Sequence, residues 1–435
     1  MLLDIGPLRR NTAFRRHFAS QFVSGLGTMV SYVAVPWQLY QLTYSNAQVG
    51  LLGLVQLIPV VVCGLLGGAV ADRVDRKRLL IASEALMALC LAGLLTNALS
   101  AAPSVLAIYA LVAVLQGASG FHRPALEALT QKLAKPEEFA AVSALSSVRG
   151  TVGMVAGPAL AGILLAKWGA VGAYVFDFAT FIAALFFIAR IPREAIGSVE
   201  STQGRSQVDS TPSGGGGGPL PPPGGTNASP GERPHLLADL AEGLRFAWAR
   251  PELMGTYLVD IVAMAFAFPV ALFPAMAAAD GRTESVGWLL SAMSVGALII
   301  GLFSGWTGKV RRHGRAVVIA ATVWAVGIAA LGLAPSLMLG LICLAVAGAA
   351  DMVSGVFRGT IWNETIPNTL RGRLAGIEMI SYLTGPLVGN ARAGFMADAW
   401  GVAPAIWMGG AICLAGVIGT GFLLPRFWAY RSPRA

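Results

Sequence analysis

One kind of segment recurs along this chain: an apolar run of about twenty residues or more, long enough as a helix to cross the roughly 30 Å of hydrocarbon in a bilayer. Twelve such runs can be read, at approximately 17–42, 49–71, 78–99, 104–126, 139–166 and 171–191, and then 253–276, 285–306, 316–333, 337–362, 374–397 and 403–424. The fold class they predict is an all-α polytopic membrane protein of twelve transmembrane helices. The balance of residues agrees, because 12% are charged, about half the soluble average. Helices satisfy their own backbone in lipid, so no partner is required and a monomer is expected.

The connections between runs set the orientation. Odd-to-even turns, such as 43–48 and 100–103, are almost free of Lys and Arg, with Lys167 and Arg282 as exceptions. Even-to-odd turns hold Arg73, Arg76, Lys77, Lys132, Lys135, Lys309, Arg311, Arg312, Arg371 and Arg373, and both termini are basic. The positive-inside rule therefore places both termini in the cytoplasm, the arrangement of a multi-pass protein of a bacterial cytoplasmic membrane. Arg9, Arg10, Arg15 and Arg16 precede a long run without a small-residue cleavage site, so no cleaved signal peptide is expected. The formal charge of +9 does not point to nucleic acid, because the basic residues sit in these short loops. Cys63, Cys90, Cys343 and Cys413 fall inside apolar runs without metal-ligand spacing and read as free thiols.

Between 192 and 235 the pattern stops. Gly214 to Gly218 and Pro221 to Pro223 sit among Ser, Thr and Gln, a composition that buries too little apolar surface to fold and reads as a flexible cytoplasmic linker. The sequon at Asn227 is then on the wrong side for glycosylation. Beyond it Leu236, Leu237, Leu240, Leu244 and Trp248 recur at helical spacing, as in a short interfacial helix. The expected organisation is residues 1–191 as one six-helix half, 192–235 as linker and 236–435 as the second half. The halves carry faint copies of each other. Gly157 to Gly162 precedes Trp168-Gly169, Gly389 to Gly394 precedes Trp400-Gly401 at the same spacing, and Gly305 to Arg315 looks like a worn copy of the turn at 64–78.

That turn, Gly64-Leu-Leu-Gly-Gly-Ala-Val-Ala-Asp72-Arg73-Val-Asp75-Arg76-Lys77-Arg78, packs charges after closely spaced glycines. It resembles the G-x-L-A-D-R-x-G-R-K signature of the major facilitator superfamily. Gly68, Ala71, Asp72, Arg73, Arg76 and Lys77 match, and Asp75 replaces the second glycine at a point where a left-handed turn residue is expected. A second stretch, Gly153-Met-Val-Ala-Gly157-Pro158-Ala-Leu-Ala-Gly162 behind Arg149, resembles the antiporter motif of the family's drug exporters, with Ala161 in place of one glycine. Small residues four apart allow close helix contact, and the proline bends its helix. The stretches Arg10 to Arg15, Val33 to Pro36, Gln48 to Leu51, Pro103 to Tyr109 and Gly372 to Gly376 are similar to the siderophore- and drug-exporter branch.

The resemblance implies two pseudo-symmetric six-helix bundles rocking around a central site, and an exporter of an enterobactin-like siderophore or a related amphipathic molecule driven by protons. The alternative is a multidrug or antibiotic efflux pump of the same superfamily. Asp72, Arg73 and Arg76, with Gly68 before them and Glu127 on the fourth run, are expected to latch the cytoplasmic ends, Asp72 meeting the N-terminus of the eleventh helix. Ionisable groups within spans are costly and usually face a cavity. They are Glu84, Arg149, Asp177, Asp260, Asp351 and Arg358 as substrate or proton candidates, with Arg123 and Arg392; an ion pair tying helices together is the plain alternative for each. Gln21, Tyr32, Trp37, Gln38 and Gln56 are candidates to line the route. No phosphate loop, serine elbow or metal-ligand cluster is present in the sequence, so no cofactor, no metal and no enzyme activity are expected.

Overall fold

The computed structural model describes residues 4–71, 74–192, 245–367 and 370–432. Five helices open the chain: α1 (Thr12–Thr43), α2 (Asn46–Ala71), α3 (Arg76–Leu99), α4 (Val105–Leu133) and a helical stretch Phe139–Ala189. Within that stretch Gly169 stands at φ 61° and ψ −162°, a conformation nearly closed to residues with a Cβ. It divides the stretch into two antiparallel limbs, α5 (139–168) and α6 (170–189). Gly401, at φ 94°, makes the matching turn between α11 (Arg371–Trp400) and α12 (Val402–Leu423). The repeated Trp-Gly pair thus does the same work twice: it reverses the chain in one residue.

The remaining spans are α7a (Pro251–Phe266) with α7b (Phe273–Asp280), α8 (Ser285–Leu302), α9 (His313–Gly332) and α10 (Leu337–Thr365). Among the described residues ten helical segments are long and apolar enough to cross a membrane. One of them is the stretch that Gly169 halves, and α11, 30 residues long, adds another. Counted over the described residues this agrees with twelve crossings, and the protein is an all-α, multi-pass membrane protein.

The seventh span departs from the sequence reading, in which 253–276 is one uninterrupted helix. It breaks after Phe266 and resumes through a short 3₁₀ turn, Val270–Leu272. Pro269 and Pro274 withhold the two N–H groups that would carry the helix through. Two side chains of α11 satisfy the freed backbone: Asn390 Oδ1 accepts from the N–H of Ala271 (3.0 Å) and Arg392 Nε donates to the carbonyl of Ala265 (3.1 Å). A broken helix at membrane depth persists only where protein groups meet its polar backbone in this way.

The ends of the bundle differ. One, here the neutral end, carries the turns at 43–46, 100–104, 168–169, 281–284, 333–336 and 400–401; the other, the basic end, carries the described parts of the remaining turns and the outermost described residues at each end of the chain. At the basic end Lys77 Nζ donates to the carbonyls of Ala189 (3.2 Å) and Ile191 (2.6 Å), and Arg16 donates to that of Arg190. These cations sit where the α6 dipole leaves negative charge. Asp75 does not adopt the left-handed turn expected of it: at φ −54° it caps α3, accepting from the N–H of Arg78 (3.0 Å). The aspartate replaces the glycine because a capping side chain is useful there. Near the C-terminus, Glu364 accepts from Tyr430 (3.0 Å) and from Ser432 (2.5 Å), strapping the tail to α10. Of the interfacial helix expected at 236–248, residues 245–248 are described and helical, with Ala247 buried and Trp248 exposed.

One hydrophobic core is built from α7 to α12 and another from α1 to α6 at the basic end, while a third, mainly of α1 to α6, crosses to Ala271, Ala277 and Val286 of the second half. The halves meet through two seams at the neutral end, α2 with α11 and α5 with α8. In the first, a Cβ on Gly53 would fall 2.2 Å from the carbonyl oxygen of Leu387, and one on Gly394 2.3 Å from that of Asn46. In the second, a Cβ on Gly287 would fall 2.3 Å from the carbonyl of Pro158. Both are backbone-to-backbone contacts that small residues alone permit.

Candidate functional site

Between the halves, bordered by Gly53 and Leu387 of the α2–α11 seam, lies a cavity of about 270 Å³. The N-terminal half contributes Thr28, Ser31, Tyr32 and Val35 of α1, Gln56 of α2, Gln116 of α4 and Asp177 of α6; the other half contributes Val270 and Ala271 beside the α7 break, and Tyr382, Pro386, Leu387 and Asn390 of α11. The wall is largely apolar, with amides and hydroxyls spaced around it. Its one ionisable acid, among the described lining residues, is Asp177.

Asp177 is 1% exposed overall. It accepts a hydrogen bond from the Ser31 hydroxyl, and Thr180 lies within 3.3 Å of its other oxygen. Gly27 leaves the room, since a Cβ there would collide with Asp177 and Thr180. Such an acid is held by neutral donors alone, so it can exchange a proton without breaking an ion pair.

The other candidates are drawn into separate clusters. Glu84 is fully buried between α1, α3 and α4, with Gln21 Nε2 at 3.2 Å and His122 Nε2 at 3.3 Å, while its second oxygen has no hydrogen-bond partner. In the opposite half Arg358 of α10 pairs with Asp260 of α7a and lies 3.8 Å from Asp351. These three border a void of about 10 Å³ with Trp324. Gln21 and Asp260 both stand nine residues beyond the first residue of their helices, 12 and 251, so each half has a polar cross-link at comparable depth. Arg149 is half-buried on α5 and does not line the cavity. Arg123 is exposed and reaches Tyr382 across the cavity mouth at 3.5 Å. Arg392 serves the α7 break and is no part of the route.

Of the expected route-lining residues, Tyr32 and Gln56 face the cavity. Gln38 is buried under the Tyr174 hydroxyl (2.7 Å), Gln21 serves Glu84, and Trp37 packs into the core. Within the antiporter-like motif, Pro158 and Gly162 form the α5–α8 seam, Gly157 lies against Met29 of α1, and Gly153 is buried with open space beside it. At the basic end Gly68 is helical, Arg76 opens α3 half-buried, and Glu127 is exposed on α4. Asp72 and Arg73 lie outside the described residues, as does the linker from 193 to 235.

A family model described as "Transmembrane secretion effector" matches residues 4–203. The enterobactin exporters EntS of Shigella boydii serotype 18 and of Escherichia coli O81 are each 30% identical over 398 residues, an alignment covering 90% of this chain and 87% of theirs. The chain belongs to the major facilitator superfamily. Its place is in the drug- and siderophore-exporter branch, and it is a membrane transporter. A bacterial homologue of the iron transporter ferroportin, solved in an inward-facing state, shares the fold with a TM-score of 0.66 at 12% identity, over 96% of this chain and 98% of that one. The nucleoside transporter NupG superposes with the same score and identity, over the same shares.

Sequence reasoning missed Asn390, and it named Arg392 and Lys77 without these roles: Asn390 and Arg392 tie the broken α7 to α11, and Lys77 caps α6. The nearby prolines at 269 and 274 were the available signal for the first pair.

Proposed function

We propose that this protein exports a siderophore of the enterobactin class, or a related amphipathic molecule, by alternating access coupled to inward proton flow. The observation that carries the reading is the cavity: it lies between two halves, is walled in part by the glycine seam of α2 and α11, and holds, among its described lining residues, a single acid bonded to hydroxyls alone. The halves are residues 1–191 and 236–435, joined by 192–235, and the basic end faces the cytoplasm with both termini. Cargo enters from that end, and the halves rock until the seams part. Asp177 carries the proton. Asp72, Arg73, Arg76 and Glu127 close the basic end in the other state, Pro158 and Gly162 serve the seam, and Gly153 and Gly157 keep α5 slim beside it, Gly157 against α1. Glu84 with His122, and Asp260 with Asp351 and Arg358, hold each half rigid. The protein acts as a monomer.

The cargo class comes from the enterobactin exporters it resembles over nearly its whole length. Catechols keep their protons near neutral pH, so a metal-free cargo of this kind suits a wall without a cation. The same wall favours a second reading, multidrug efflux, because apolar surface with scattered amides discriminates weakly. Deleting the gene separates the two: less siderophore in the medium with unchanged drug tolerance supports the first, and drug sensitivity with normal secretion supports the second. In proteoliposomes an imposed pH gradient should drive cargo flux; equal flux with and without the gradient excludes proton coupling.

A further inference from the structure

At the neutral end, which also carries Lys167 and the Asp280–Arg282 pair, Asp398 stands near the end of α11. One of its carboxylate oxygens accepts the backbone N–H of Asn46 at 2.7 Å and the other accepts the Ser45 hydroxyl at 2.6 Å. Ser45 and Asn46 begin α2, in the other half and some 350 residues away in sequence. The first turn of α2 contains no acid of its own. Unbonded N–H groups at a helix start favour a negative charge, and Asp398 supplies it from across the interface. Ser45 is held in place to receive it, because its hydroxyl oxygen also accepts from the N–H of Gln48 at 3.2 Å. One turn before Asp398, Gly394 touches the backbone of Asn46 and Gly50, so the charge sits at the tip of the α2–α11 seam. The arrangement is the reciprocal of the one the sequence predicts at the basic end, where an acid ending α2 meets the start of α11.

We infer that Asp398 is the latch of the neutral end, a charged cap that one half places on a helix of the other and that must let go each time this end opens. The inference rests on the alternating-access reading, but not on which cargo is moved. It gives the seams a polar, reversible lock: glycine contacts fix how closely the helices approach, and the carboxylate adds a directional bond that fails once they separate by more than hydrogen-bond reach.

The test measures distances between spin labels at Ala101→Cys and Leu333→Cys, at the neutral ends of the two halves, with Cys63, Cys90, Cys343 and Cys413 replaced. Asp398→Ala and Ser45→Ala should each raise the long-distance population relative to the short one by about three- to tenfold, the worth of a partly exposed charged hydrogen bond. Asp398→Glu should restore most of the short population. A second measurement covers the case in which a variant does not fold. Ser45→Cys with Asp398→Cys, once oxidised, should stop export, and a reductant should restore it. Unchanged distances in a monodisperse Asp398→Ala protein, or export that continues through the disulfide, would overturn the latch. If gene deletion leaves siderophore secretion untouched, the cargo assignment falls while these distances still decide the latch.

Discussion

Substituting Gly287 by Ala should open the neutral end without unfolding either half. The added Cβ would sit 2.3 Å from the carbonyl oxygen of Pro158, whereas ordinary contact begins near 3.4 Å, so α8 and α5 must part by about 1 Å. Gly162 closes off the alternative of a sideways slide, since its own Cβ position lies 2.8 Å from the carbonyl of Glu284. Overpacking of this kind costs about 1–3 kcal/mol. Because the contact joins the two halves, most of that cost falls on the closed neutral end, although the apolar core beside it also runs across the seam. It becomes a population shift of about five- to 150-fold toward the state open there. The assay is labelling of Gln56→Cys, in the cavity wall, by a membrane-impermeant maleimide added from the neutral side. Gly120→Ala is the control: its Cβ would press on the backbone of Cys63 and Gly64, a contact between α4 and α2 of the same half. It should lower thermal stability and leave labelling unchanged. If Gly287→Ala lowers stability as Gly120→Ala does and leaves labelling flat, the seam is ordinary core packing and the reasoning fails.

Asp177→Asn can accept from only one of the two hydroxyls, donating to the other, and cannot exchange a proton; gradient-driven flux should fall at least tenfold while gradient-free counterflow stays within about threefold, as expected of a general proton carrier. Retained gradient-driven flux would remove Asp177 from that role. Arg392→Lys should cost about 1–3 kcal/mol by leaving the carbonyl of Ala265 unmet, seen as a lower Tm; an unchanged Tm would mean that the α7 break needs no clamp. Burial alone would push the Asp398 carboxyl up, but the Ser45 hydroxyl and the N–H groups of Ala47 and Asn46 outweigh it and hold it below the usual carboxylate range. Its contribution to closure is therefore complete above the ordinary value of about 3.9 and is lost as the pH falls through the depressed one. Label distances across the neutral end should be the same at pH 7 and pH 5.5 and lengthen below about pH 4; lengthening already at pH 5.5 would contradict this.

Much of the fold was legible because lipid leaves a chain few choices. Runs of twenty apolar residues can only be spans, and the paired Trp-Gly steps announced the repeat that the Gly169 and Gly401 turns realise. The α7 break was legible in principle, since Pro269 and Pro274 stood inside a predicted span, but nothing local said that α11 would supply Asn390 and Arg392 to meet the loose backbone. The site was less legible. Intramembrane acids are all costly, and spacing along one helix does not reveal which face a cavity and which face a partner. Asp260 found Arg358 about a hundred residues away and Glu84 found His122 about forty residues away, while Asp177 found only hydroxyls. Asp398 was invisible for the same reason: its partners lie in the other half, and an acid just after a span looks like a solvated loop residue until α2 is placed beside it.

The account rests on the two ends of the bundle opening in turn. Spin-label pairs at 101 and 333 for the neutral end, and at Glu137→Cys and Arg311→Cys for the basic end, measure this in one preparation as a pH gradient and cargo are applied. The neutral-end distance should lengthen as the basic-end distance shortens, in the same fraction of molecules. Two distances that grow together, or that ignore both gradient and cargo, would contradict it.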